Sequence, residues 1–209
     1  MQPGFFHLLG QYFLRKPYGI HSPFLYSFSE HCLYKDVAEQ DLQIIENHRR
    51  SLLKDKRQIL FSDFGAGSRS FAGVRKNTQG QRPESVSRLA KRALQRPSLT
   101  RLLFRISRYL EPATILELGT SFGISAACLS KGNPNARVIT IEGCPAVSEM
   151  AAEFFSNQGL SNIRLINGTF ANVLPDLLPD LAPIDLVYLD GDHQYDNLLA
   201  YFSLIEEHL

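Results

Sequence analysis

The stretch Thr114-Ile115-Leu116-Glu117-Leu118-Gly119-Thr120-Ser121-Phe122-Gly123 decides how this 209-residue chain is read. A short β-favouring run from Thr114 to Leu118 enters a turn, Gly119 to Gly123, and Ile124 to Ser130 begins a helical pattern. The alternation repeats downstream. Val138 to Ile141 predicts a second strand, followed by a helix from about Pro145 to Gln158. Asn162 to Ile166 predicts a third strand, with a short helix near Phe170 to Leu177. Ile184 to Leu189 predicts a fourth, with a helix over Asp196 to His208. Strict strand–helix alternation marks a parallel doubly wound sheet, which takes ligands at the carboxyl ends of its strands. The expected fold class is α/β: a Rossmann-like sheet over residues 110–209, preceded by a mostly helical region over 1–109.

In that leading region Phe5, Leu8, Leu9, Tyr12 and Phe13 recur at helical spacing, and Pro17 and Gly19 end the pattern. Further helices are expected over Pro23 to Leu33 and over Asp36 to about Lys56, the latter with Leu42, Ile45, Leu52 and Leu53 as its apolar stripe. Two more follow, Glu84 to Leu94 and Ser98 to Tyr109, with Ser98 as N-cap and Leu99, Leu102, Leu103 and Ile106 facing inward. Ile59 to Ser68 resembles a strand entering a glycine-rich phosphate loop. The next residues, Arg69 to Pro83, lack the apolar period of the helix such a loop should open. Asp63 to Gly67 is therefore not expected to be the main cofactor loop, though it can serve as part of a lid.

Composition bounds the class. Hydrophobic residues make up 44% of the chain, charged residues 21%, and net charge is +1, which excludes a disordered chain. Cys32, Cys128 and Cys144 are too few for a disulfide framework and lack zinc-ligand spacing, so a reducing, cytoplasmic setting is expected. No window approaches the length of apolar residues needed to span a membrane, and no secretory signal opens the chain. The charge is unevenly placed. Arg69 to Arg108 carries eleven Lys/Arg against the single acid Glu84, while Tyr109 to Leu209 carries three against thirteen acids. The basic segment reads either as an anion site, for nucleic acid or an acidic substrate, or as solvated helix faces that partly neutralise the acidic half.

The turn lacks G-x-G-x-x-G spacing, and Glu117 would oppose a phosphate, which disfavours a nicotinamide dinucleotide. An acid there suits a cofactor with a cationic or hydroxyl-rich group. Glu142, at the end of the second strand, is placed to accept ribose hydroxyls; the alternative is a solvated strand-end carboxylate.

Ile115 to Gly123, the Ile141-Glu142 strand end, Asn167-Gly168-Thr169-Phe170 and Asp185-Leu186-Val187-Tyr188-Leu189-Asp190-Gly191-Asp192-His193 together resemble class I S-adenosylmethionine-dependent methyltransferases. The branch they are most similar to acts on small-molecule hydroxyls, and the resemblance covers about Leu110 to Leu209. It implies S-adenosylmethionine as cofactor. Gly119 and Gly123 would pass close to its methionine part, with Glu117 near the amino group and Thr120 and Ser121 adding contacts. Glu142 would hold the ribose, and Gly143 and Cys144 would flank the adenine. Gly168, Thr169 and Phe170 would lie at its edge, although many relatives carry an acid where Thr169 stands. Asp190 would face the transfer site. His193 is the candidate base, oriented by Asp192 or Asp190; alternatively Asp192 and His193 cap the helix near Tyr195. Asp190 matches the first ligand of the metal-using relatives, but the strand carrying the others is not present, and no metal is expected.

By the same resemblance the sheet would continue past Leu209. The fourth strand is then expected as an edge, covered by the N-terminal helices or a second subunit, unless the chain is a shortened product. Three functions compete: methylation of a small, acidic acceptor under a lid bearing Arg69, Arg75, Lys76 and Arg82; methylation or binding of RNA through the basic segment; and cofactor binding without turnover.

Overall fold

The computed structural model describes residues 20–33, 35–64, 81–192 and 194–209. The helix expected over Phe5 to Phe13, Gly65 to Gly80 of the segment read as a loop, and His193 lie outside the described residues. The N-terminal part comprises α1 (Pro23–Phe28) continued by a wider π-type turn (Ser29–Leu33), α2 (Glu39–Lys54), β1 (Gln58–Phe61), β2 (Arg82–Ser85), α3 (Val86–Ala93) and α4 (Pro97–Leu110). The remainder alternates: β3 (Thr114–Leu118), α5 (Ile124–Gly132), β4 (Arg137–Glu142), α6 (Pro145–Asn157), β5 (Ile163–Asn167), α7 (Phe170–Leu181), β6 (Leu186–Leu189) and α8 (Tyr195–Glu206).

The last four strands form one parallel sheet in the order β5-β4-β3-β6, the doubly wound arrangement expected. Leu118 pairs with Ile141 on one side and Leu189 on the other, and Glu142 pairs with Asn167. The strands thus finish level along one rim. Every residue of β3 is buried, as befits a central parallel strand covered on both faces. Ile115 and Val138 pack with α5, α6 and, from the N-terminal part, Leu42, Ile45, Leu103 and Phe104. Leu116, Leu118, Ile139 and Ile141 face α7 and α8 through Leu174, Leu178, Leu181 and Ile205. The N-terminal helices therefore complete one face of the sheet's own core.

Several expectations are corrected. The leading region is mostly helical, as expected, but also holds a strand pair: β1 and β2 pair antiparallel, with Ile59 opposite Glu84 and Leu60 opposite Pro83. Pro83 donates no bond, a defect tolerated in a two-stranded sheet where each strand is an edge. The helix expected from Glu84 starts at Val86, and its first amides find partners outside it: Val86 N–H donates to the Arg57 carbonyl and Ser87 N–H to that of Asp55. In α2, Arg49 is buried with Leu42, Ile45 and Leu52, while Leu53 is exposed. The α4 N-cap is Arg96 with Pro97 in the first turn, so Ser98 is inside the helix. Its inward face is Thr100, Leu103, Phe104 and Ser107, and Leu99 points out. Small residues are needed because α4 lies close on α5: a Cβ at Gly132 would stand 2.9 Å from that of Ser107. Ser107 Oγ donates to the Leu129 carbonyl at 2.7 Å. Finally, α7 runs on through Pro175 and Pro179 to Leu181, because Leu177, Leu178 and Leu181 continue its buried stripe.

Among the described residues no helix is long and apolar enough to cross a membrane.

Candidate functional site

A cleft of about 500 Å³ opens at the carboxyl ends of β3, β4 and β6. This is where the strand order reverses, since β4 and β6 flank β3 on opposite sides. Of the residues singled out in the sequence, Gly119, Ser121, Glu142, Gly143, Gly168, Thr169, Phe170, Asp190 and Asp192 line it. Glu117, Thr120, Gly123 and Cys144 do not: they lie behind the wall and shape it.

The turn after β3 brings the backbone against β6. Gly119 has φ +105°, and a Cβ there would come within 2.7 Å of the Asp190 carbonyl oxygen, so this position has no room for a side chain. Four of the turn's amides are already occupied. Gly119 N–H and Thr120 N–H donate to the Ile141 carbonyl at 3.0 and 3.2 Å, Ser121 N–H to Glu142 Oε2 at 2.8 Å, and Gly123 N–H to the Thr120 carbonyl at 2.9 Å. These four amides are not presented to an anion, which is the physical ground on which a pyrophosphate loop is disfavoured.

Glu142 holds two loops at once. Its Oε2 accepts from Ser121, and its Oε1 accepts from the Cys144 amide at 2.9 Å. Burial pushes its carboxyl above the ordinary range, against the downward pull of those amides. Glu117, fully buried, accepts from Thr140 Oγ1 at 2.5 Å, and its Oε1 is left without a partner. Burial raises its pKa to about 7, and the nearby Asp190 and Glu142 carboxylates add to the rise. Thr120 Oγ1 shares a 2.6 Å bond with Thr140 Oγ1, and Gly123 packs on Phe155, so both support the turn from beneath.

At the end of β6, Asp190 Oδ2 accepts from Gln95 Nε2, which also donates to the Tyr188 hydroxyl. Asp192 sits in the left-handed region at φ 48°. Its Oδ2 accepts from Asn197 Nδ2 at 2.8 Å and Tyr201 OH at 3.2 Å, while Oδ1 is buried with no partner. Asp192 is thus fastened to side chains of α8 and does not cap it; the N-cap is Gln194. Strained backbone and an unpartnered carboxylate oxygen at a cleft wall are marks of a working position.

The opposite wall was not singled out as a set. Phe61, Ser62, Asp63, Phe64, Arg82, Leu89, Arg92 and Ala93 form it, so the segment after β1 does border the site. Phe64 lies directly on Gly143, where an added Cβ would meet its ring at 2.7 Å. Arg82 and Arg92 are the cations among the described lining residues, and both lie near Glu84, at 3.9 and 3.5 Å. Behind the turn, His48 Nε2–H donates to the Phe122 carbonyl at 3.1 Å, and its ring stacks on Phe154 with centroids 3.7 Å apart. Burial holds His48 below its ordinary pKa. Among the described residues no group of three or more His, Cys, Asp or Glu is placed to hold a metal ion.

A level row of parallel strand ends, a glycine turn closed to anions and a carboxylate on the second strand define a class: a doubly wound domain of methyltransferase type. Comparison with known proteins agrees. Residues 116–209 match the family model described as "Methyltransferase domain". This half of the chain is similar to class I S-adenosylmethionine-dependent methyltransferases of the O-methyltransferase branch. The chain is similar to catechol O-methyltransferase from Bos taurus, 32% identical over 109 residues that cover 49% of this chain and 39% of that one. It is also similar to the O-methyltransferase TomG from Streptomyces achromogenes, solved in complex with SAM (TM-score 0.51, 27% identity, 56% of this chain and 52% of that one). An SAH-bound methyltransferase of Podospora anserina shares the fold over 90% of this chain and 65% of its own, with TM-score 0.56 and 18% identity. The chain spans less than half the length of the curated relatives it matches.

Proposed function

We propose that the chain binds S-adenosylmethionine in the cleft and directs its methyl group to a hydroxyl oxygen of a small acceptor. The observation that carries this reading is the joint position of the Gly119 turn and Glu142. Backbone that admits no side chain and a carboxylate held by two loops face the same space. The residues fit the group: Gly119, Gly143 and Gly168 leave backbone bordering the cleft, the Glu142 carboxylate lies between them, and an unpartnered oxygen of Asp192 stands at the end of β6. The relative solved with SAM supports the choice of cofactor.

In this reading Glu142 accepts from the ribose hydroxyls. Gly143, Thr169 and Phe170 bound the adenine, with Phe64 closing over it. When bound, S-adenosylmethionine supplies an activated methyl on a sulfonium, so the protein's work is to place a nucleophile in line with it. Asp192 takes that role for the acceptor. Its Oδ1 would take the proton of the acceptor hydroxyl, while Asn197 and Tyr201 hold the carboxylate in place. Arg82 and Arg92 make the acceptor end of the cleft hospitable to an anionic group, consistent with a small acidic acceptor.

Titration calorimetry with S-adenosylhomocysteine tests the reading. The protein is expected to bind it, and Glu142→Ala to bind about 100-fold more weakly, two hydrogen bonds to a charged group being lost. No heat and no thermal stabilisation with the unaltered protein would refute it.

A further inference from the structure

Glu84 is the single acid between Arg69 and Arg108, and it is buried. Three arginines gather on it. Its Oε2 lies 3.9 Å from Arg82 Nε and 3.5 Å from Arg92 Nη2, and its Oε1 lies 3.4 Å from Arg88 Nη1. Arg82 comes from β2 and Arg92 from α3. Because both reach one oxygen, their guanidinium groups stand side by side, and both line the cleft. Arg88 shares the carboxylate, but its side chain is mostly exposed and does not line the cleft. We propose that Arg82 and Arg92 form a seat for a phosphate monoester carried by the methyl acceptor.

Three observations carry this. The first is that Glu84 gathers the guanidiniums without consuming them. A strong bond between such groups runs at about 2.7–2.9 Å. The wider spacing at Arg92 keeps the charges together and leaves most of its five N–H donors to a ligand.

The second is shape. Arg82 is steadied by the Phe61 ring, whose centroid lies 5.6 Å from its Cζ. Two forks offered by two elements ask for more than two oxygens. A carboxylate fills one fork. A phosphate monoester brings three terminal oxygens and nearly two negative charges, and meets both. The diester of a nucleic-acid backbone has one charge and two terminal oxygens, a poorer match.

The third is the setting. Leu89 and Ala93, on the same helix as Arg92, give this wall an apolar surface for the body of an acceptor. Asp63 lines this wall too, while Glu142, Asp190 and Asp192 line the other. Among the described lining residues both cations are thus on one side. An anionic group is drawn there and kept from the carboxylates that face a sulfonium.

As an acceptor seat this rests on the function proposed above, but the seat can be read without the donor. Calorimetry is run with phenyl phosphate, methyl phenyl phosphate and benzoate, each with and without S-adenosylhomocysteine. Phenyl phosphate should bind at least about tenfold more tightly than the other two, and less tightly as salt rises. Arg82→Gln and Arg92→Gln should each weaken it about tenfold while holding S-adenosylhomocysteine within about twofold of the parent. Arg92→Lys, which keeps the charge and loses the fork, should fall between. Arg88→Gln removes a charge from the same carboxylate and should move neither ligand by more than about twofold. Circular dichroism checks that each variant folds. Equal affinity for phenyl phosphate and benzoate would overturn the proposal. So would a loss in Arg88→Gln as large as in Arg92→Gln, the sign of a diffuse positive field, or tighter binding of the diester, the sign of a nucleic-acid site. Phosphate selectivity without S-adenosylhomocysteine binding would sink the donor reading and leave the seat standing; the reverse result would strike the seat alone.

Discussion

On one side of the cleft, Gly119, Glu142 and Asp190 sit at the ends of strands locked into a four-stranded parallel ladder. On the other, Phe61 to Phe64, Arg82 and Arg92 rest on a two-stranded sheet and on apolar packing. Where the second wall meets the first, soft polar links occur: Ser62 N–H to Cys144 Sγ at 3.5 Å, and Cys144 Sγ to the Leu60 carbonyl at 3.8 Å. The first wall is over-determined by main-chain bonds and fixes where a ligand lies. The second is under-determined and governs what else is admitted. A change in the first should cost the fold as well as binding, whereas a change in the second should cost binding alone.

The sharpest break in that contrast comes at Gly119. Gly119→Ala puts a Cβ at positive φ and against the Asp190 carbonyl, so it should lower unfolding free energy by about 4 kcal/mol, strain and overpacking together. Urea denaturation measures this, and a loss under about 1 kcal/mol would mean the strand-end wall is soft after all.

Glu117 offers a pH-resolved version. Its folded-state pKa of about 7 lies above the ordinary 4.5, so the folded chain holds a proton that the unfolded chain has released. Stability is therefore full below pH 4.5, falls as pH rises, and above pH 7 is lower by about 3 kcal/mol. Glu117→Gln removes this slope. The variant should melt higher than the parent at pH 8 and show no advantage at pH 4, and parallel melting curves across that range would contradict the assignment.

The smallest effect belongs to the second wall. Phe64→Ala should weaken S-adenosylhomocysteine binding about fivefold while changing stability by less than about 1 kcal/mol. A large stability loss would show that both walls are built into the core.

The same contrast explains what the sequence disclosed. Thr114 to Leu118 was readable because a central parallel strand must be β-favouring and apolar on both faces, and the glycine after it had to turn. Glu142 followed from its place at the next strand's end. The second wall was harder to see because β2 is Arg82-Pro83-Glu84-Ser85, a polar strand containing a proline, whose partner lies over twenty residues earlier. Pairing of this kind leaves no local period. The inward face of α4 was misread for another reason. Apolar spacing favours Leu99, Leu102 and Ile106, but close approach to Gly132 demands a small residue, Ser107, at the contact. Gln95 gave no signal at all, since its contact with Asp190 arises from a link meeting a strand end across the fold.

The bond from His48 to the Phe122 carbonyl joins residues 74 positions apart and ties the glycine turn to α2. The geometry of the turn is thereby partly inherited from the leading helices. A chimera that grafted this sheet onto a foreign N-terminal region would keep its strands in register. It would have to import a hydrogen-bond donor at that point, or the turn would lose its outer brace.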